Sequence, residues 1–197
     1  SIGRYKITGI WTDAGAEPIT LNNIIVTVVE KIYDGNLTAV INTITSPSLS
    51  NSYTLTATAT FSDKNVGGSK PVTITNIQLT GPESLNYILT PPTGVTADIT
   101  VKELTITGIT AESKTYDRTT AATLSTGNSS LVGVIAGDTV SFLSKPTTGT
   151  FASKNVGTGK LVRFAGFTLT GSDAISDILT KQTGVTADIT VKEVTIT

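Results

Sequence analysis

Apolar and polar residues alternate along most of the chain at the two-residue period of a half-buried β-strand, and no stretch sustains a helical period. Between residues 95 and 102, Val95, Ala97, Ile99 and Val101 share one parity, and Thr96, Asp98, Thr100 and Lys102 share the other. After Lys102 and Glu103 the apolar positions change parity to Leu104 and Ile106, which predicts that the backbone turns its opposite face inward there. Ile24, Val26 and Val28 predict an opening strand, and residues 53–61 predict another, with Thr54, Thr56, Thr58 and Thr60 on its solvent side. A further parity change separates Val72 and Ile74 from Ile77 and Leu79 around Asn76, and the same change recurs at Gly166. Asn in one place and Gly in the other predict a β-bulge with a left-handed residue. Short strands separated by turn signals make the expected class all-β.

The pattern is also repeated. Residues 93–107 return as residues 183–197, with Val194 in place of Leu104. Earlier in each copy stand Lys31, Tyr33, Asp34 and Gly35, matched by Lys114, Tyr116, Asp117 and Arg118. Tyr followed by Asp-Gly at a strand end is turn chemistry: the ring covers the core edge, the carboxylate accepts backbone N–H groups, and Gly takes positive φ. Next come Phe61, Lys64, Asn65 and Gly67, matched by Phe151, Lys154, Asn155 and Gly157, where Asn and Gly are expected in left-handed geometry. Asp34 and Asp117 are 83 positions apart but Phe61 and Phe151 are 90, so the variable loops lie between these landmarks.

An internal repeat outranks a length prior in placing domains. Residues 24–103 and 104–193 are read as two modules, residues 1–23 as terminal strands of a preceding repeat, and residues 194–197 as the start of another, both ends lying within a longer array. The junctions fall at Asn22-Asn23, Lys102-Glu103 and Lys192-Glu193. Each module is expected to be a small Ig-like β-sandwich, joined to the next end to end by a continuous strand, giving a rod-like whole.

Composition narrows the chemistry. With 14 basic against 15 acidic residues and no charge run, neither a nucleic-acid surface nor a polybasic membrane surface is expected. Cysteine and histidine are absent, which removes disulfides, thiolate metal sites and the commonest general base. The longest apolar run, residues 24–29, is too short to insert into a bilayer. Only Asp34/Asp117, Asp98/Asp188 and Glu103/Glu193 recur among the carboxylates, and a small sandwich offers little room for a cleft between two of them. The chain is therefore read as no enzyme, with no cofactor and no metal. Asp98 and Asp188 are expected on a strand surface, paired with a neighbouring strand or with Lys31 and Lys114. Those same lysines and aspartates are the seed of an alternative, a Lys–Asp isopeptide staple, which would require a buried lysine.

Taken together these residues resemble the YDG-type repeat of large bacterial surface and haemagglutinin-like adhesins. The likeness runs through Tyr33-Asp34-Gly35, Phe61, Lys64 to Gly67, Leu79-Thr80-Gly81, Asn86-Tyr87 and Ala97 to Thr100, and through their counterparts in the second copy. Two departures stand out: Arg118 replaces the motif glycine, and Asp177-Ile178 replaces Asn-Tyr. The resemblance implies non-catalytic stalk or spacer units of a secreted or cell-surface protein. They would be monomeric, would have neighbouring repeats of the same chain as partners, and would project a binding tip. The alternative is a module that itself binds a host or surface glycan or protein receptor through loops 123–149 and exposed aromatics such as Tyr53 and Trp11.

Overall fold

The computed structural model describes residues 4–7, 10–13 and 18–196, with side chains described from Pro18 onward. The chain is all-β: its helical residues, among those described, are two single 3-10 turns, Ser84–Asn86 and Ala174–Ser176, each leading directly into a strand. It divides into two compact units, residues 1–31 with 37–99, and residues 32–36 with 100–197.

In the first unit Thr54–Phe61 and Gly67–Thr80 form a long antiparallel hairpin. It lies within a five-stranded sheet ordered Lys31–Ile32, Thr96–Thr100, Gly67–Thr80, Thr54–Phe61, Thr38–Ala39. Strand alternation places Leu55, Ala59, Phe61, Val72 and Ile74 inward, each buried, while the threonines of residues 54–60 face out. Thr58 meets Thr75 across the strands, with hydroxyls 2.8 Å apart. The bulge expected at Asn76 is present: Thr56 stands opposite Gln78 but Thr58 opposite Thr75, and Asn76 has φ +52. Ile25–Val28 pairs with Ile41–Thr45, and Ile19–Leu21 runs parallel to Tyr87–Leu89.

The second unit repeats this plan with one break. Its six-stranded sheet is ordered Thr110–Ala111, Ala121–Ser125, Thr148–Phe151, Gly157–Arg163, Thr186–Thr190, Lys114–Thr115. Ile106, Ile109, Leu124, Phe151, Val162, Val185 and Ile189 form its buried centre. The same backbone bonds recur in both copies: Phe61 N–H donates to Leu37 O at 2.9 Å as Phe151 does to Thr120 O at 2.8 Å, and Val72 to Val95 O as Val162 to Val185 O. Where the first copy carries its bulge, the second interrupts the hairpin altogether, so that Ser141–Ser144 and Thr168–Thr170 form a separate pair. Pro146 and Gly166 face one another at that level, and proline has no N–H to give the ladder.

The junctions differ from expectation in two ways. Val101 does not share the burial of Ile99. It is 40% exposed, as Val191 is at 68%, so the inward face changes at residue 101 rather than after Glu103. Strands Thr96–Thr100 and Lys102–Thr107 are separated by that one residue, with Ile99 buried before it and Leu104 and Ile106 fully buried after it. Lys102 and Glu103 lie within the second strand, in parallel register with Asp177 and Ile178. Likewise, residues 19–21 are not strands of a preceding repeat: they bond alongside Tyr87–Leu89 and bury Leu21 in the first unit. The rest of the segment assigned to an earlier repeat, residues 1–17, including Trp11, lies outside the residues with described side chains.

Candidate functional site

The feature that recurs with the most detail is the turn built on Lys, Tyr and Asp, set beside a buried phenylalanine. Phe61 and Phe151 are sealed in the two cores, and a lysine ammonium stands over each ring, Lys31 at 5.4 Å and Lys114 at 5.5 Å from the centroid. Lys31 Nζ donates to Thr38 O at 3.1 Å. Lys114 Nζ donates to Thr119 O at 3.0 Å and to Asp117 Oδ1 at 2.8 Å. In both copies the aspartate then closes its own turn: Asn36 N–H donates to Asp34 Oδ1 at 3.1 Å, and Thr119 N–H to Asp117 Oδ1 at 2.9 Å. The Lys114 hydrogen bond, followed by that of the Thr119 N–H, lowers the Asp117 carboxyl to about 2.

The tyrosines begin alike and end differently. Tyr33 N–H donates to Thr100 O and Tyr116 N–H to Thr190 O, so each turn hangs from the final strand of its copy. Tyr33 is buried to 1% exposure, and its hydroxyl donates to Asp138 Oδ1 at 3.0 Å. Tyr116 is half-buried and lines an open pocket with Asp117, Arg118, Val156, Val191, Lys192 and Val194. Gly35 has φ +77 as expected, and Arg118 adopts the same left-handed conformation at φ +73. The Arg118 departure therefore changes the side chain and keeps the turn. The other departure shifts by one residue: Ser176 and Asp177 occupy the structural places of Asn86 and Tyr87, at the end of each 3-10 turn.

Around Phe61 the sequence placed the left-handed residues at Asn65 and Gly67, and at Asn155 and Gly157. None of the four has positive φ; the positive values fall at Ser69, φ +50, and Gly159, φ +58. The cause lies across the sheet. Asp98 Oδ1 accepts the Ser69 N–H at 2.7 Å and Asp188 Oδ1 the Gly159 N–H at 2.8 Å, at points where the strand register slips. These two aspartates thus hold a bulge on the neighbouring strand. Lys114 goes to Asp117 and Thr119, and Asp188 to Gly159, so the geometry expected of an isopeptide seed is not what these groups adopt. Asn65 N–H donates to Asp63 Oδ1 at 2.9 Å, and Lys70 Nζ bonds the same oxygen at 2.7 Å. Lys70 first, then that N–H, hold the Asp63 carboxyl below its usual range. Ser153 stands at the matching place and accepts from Lys160 Nζ at 2.7 Å.

The junction residues are not one kind of site. Asn23 is tied to Ser46 and Ser48 at 2.6 and 2.7 Å, Lys102 and Glu103 are strand residues, and Lys192 and Glu193 are exposed. Tyr53 is not a free aromatic but packs edge-on against Tyr87 at 5.6 Å. Among the described residues no group of His, Cys, Asp and Glu is placed to hold a metal ion. One acidic group is strained: burial first, then the Asp138 charge, raises the Asp177 carboxyl, whose Oδ2 is buried with no partner in the protein.

The fold and the doubled turn define a tandem β-repeat protein. The chain matches the YDG domain family over residues 17–94 and again over residues 100–184, and it belongs to that family. No curated protein and no solved structure matches it.

Proposed function

We propose that the two YDG copies are non-catalytic spacer units of a secreted or cell-surface bacterial adhesin, each a small sandwich. The observation that supports this most is the connection. A second family copy follows the first with Val101 as the single residue outside a strand between residues 96 and 107, and no Gly/Ser/Pro linker is present to loosen it. With strand rise near 3.3 Å per residue, two such units end to end give a rod about 70 to 80 Å long. Small-angle scattering tests it: a single narrow maximum dimension near that length supports the spacer reading, and a broad distribution contradicts it. The competing role, direct recognition of a glycan or protein receptor through loops 123–149, is decided by a glycan array and a cell-binding assay on the intact pair. Specific, saturable binding would favour it.

A further inference from the structure

Building on the spacer reading, we infer that the face around Tyr116 is the seat of a following YDG copy in the same chain. It would receive a turn like that of residues 135–138 but with a residue smaller than isoleucine at its tip. The second unit shows how such a turn is received. It contains residues 32–36, with the Tyr33 hydroxyl on Asp138 at 3.0 Å. Asp138 closes its own turn by donating its N–H to Ile135 O at 3.1 Å. That turn lies directly against the YDG tip, since a Cβ on Gly35 would stand 2.9 Å from Ile135 Cγ2. The strand that follows then sends Leu104 and Ile106 into the unit's interior, each at 0% exposure.

The second copy carries every donor half of this arrangement. Tyr116 hangs from Thr190 as Tyr33 does from Thr100, Arg118 keeps the left-handed tip, and Val194 and Ile196 repeat Leu104 and Ile106. The acceptor half is what differs. Tyr116 opens onto a pocket of about 750 Å³, beside Val156 at 47%, Val191 at 68% and Val194 at 83% exposure. Ile196, two residues further on, is 95% exposed. Apolar side chains gathered around a half-buried tyrosine mark a contact surface. Its occupant is identified by the matching face of the first copy, which the 135–138 turn of the following copy covers. Arg118 sets the specificity, because its Cβ fills the space in which Gly35 admits Ile135.

The test is a longer protein in which residues 104–197 are repeated after Glu193, with Ile135→Ala in the added copy. There Tyr116→Phe should lower the melting midpoint of the adjoining unit by about 4 °C, as loss of one buried hydrogen bond does. Tyr33→Phe should act likewise in both proteins, while Tyr116→Phe should leave the 197-residue chain unmoved. Hydrogen exchange at residues 191–196 should slow in the longer protein and stay fast when the added copy is attached through a Gly/Ser linker, which controls for its folding. Unchanged exchange in the directly joined protein, or a silent Tyr116→Phe there, overturns the inference. So does self-association of the 197-residue chain abolished by Val194→Asp, which would make the occupant a second molecule. An extended longer protein with a silent Tyr116→Phe would sink this inference and spare the spacer reading. A broad spread of dimensions for the 197-residue chain, with Tyr116→Phe still felt in the longer one, would do the opposite.

Discussion

The two YDG copies share a core and part ways at its margins. Phe61 and Phe151 sit at equivalent depth, under equivalent lysines, with equivalent backbone bonds to Leu37 and Thr120. Yet the first copy runs Gly67–Thr80 as one bulged strand, and the second breaks it into Gly157–Arg163 and Thr168–Thr170. Pro146 standing level with Thr56, and Gly166 with Asn76, account for the break, because a proline cannot donate to the ladder. The inner half of each hairpin keeps its pairing, with Phe61 opposite Val72 and Phe151 opposite Val162. Divergence at the outer half therefore alters loops while the shared centre stays.

If the centres are truly equivalent, Phe61→Ala and Phe151→Ala should each destabilise by about 3 to 5 kcal/mol in urea unfolding. A cost for one several-fold below the other would break the equivalence. The tyrosines should behave oppositely: Tyr33→Phe should cost about 1 kcal/mol through its lost bond to Asp138, and Tyr116→Phe should stay within about 0.5 kcal/mol of the parent. Equal losses would mean that the open pocket beside Tyr116 is not a real difference between the copies.

Two pH-dependent variants probe the acidic groups. Asp177 is held above its ordinary range, so the folded state binds its proton more tightly than the unfolded chain. Its presence therefore costs stability once pH rises from the ordinary aspartate range through its raised folded value. Asp177→Asn should accordingly raise the unfolding midpoint at neutral pH and lose this advantage in acid; a variant no more stable than the parent at pH 7 would refute this. Asp117 runs the other way. Its folded value of about 2, against an ordinary 3.8, gives stability that is full above the ordinary value and disappears as pH falls through 2. Because the group is exposed, the effect should be the smallest of the four, seen as a flatter acid limb for Asp117→Asn in midpoint against pH. An unchanged limb would show that the lysine contact does not persist in solution.

Much of this was legible in residue order because it follows from period and turn chemistry. Alternation placed Leu55, Ala59, Phe61 and Ile99 inside, and the parity slip at Asn76 announced its bulge. The doubled Tyr-Asp turn announced the family. What stayed hidden depends on contacts distant in sequence. Nothing beside Ser69 reveals that Asp98, on the neighbouring strand, accepts its N–H; the one signal available was that Asp98 and Asp188 recur inside otherwise apolar-alternating strands. Nor does the order around Tyr33 reveal Asp138, which lies in the length-variable segment that is shorter in the first copy. Val101 misled because its parity matches Ile99, although the chain passes beyond the first interior before reaching it.

The parallel pairing of Lys114–Thr115 with Thr186–Thr190 has a mechanical consequence. A pull applied to the ends of the chain drags these neighbouring strands in opposite directions along their own length, so their rungs, with the Tyr116–Thr190 bond beside them, are loaded together instead of being unzipped singly. Rupture of that patch would then be governed by the rate of crossing one cooperative barrier, and the residues flanking Tyr116 would set the force at which the unit gives way.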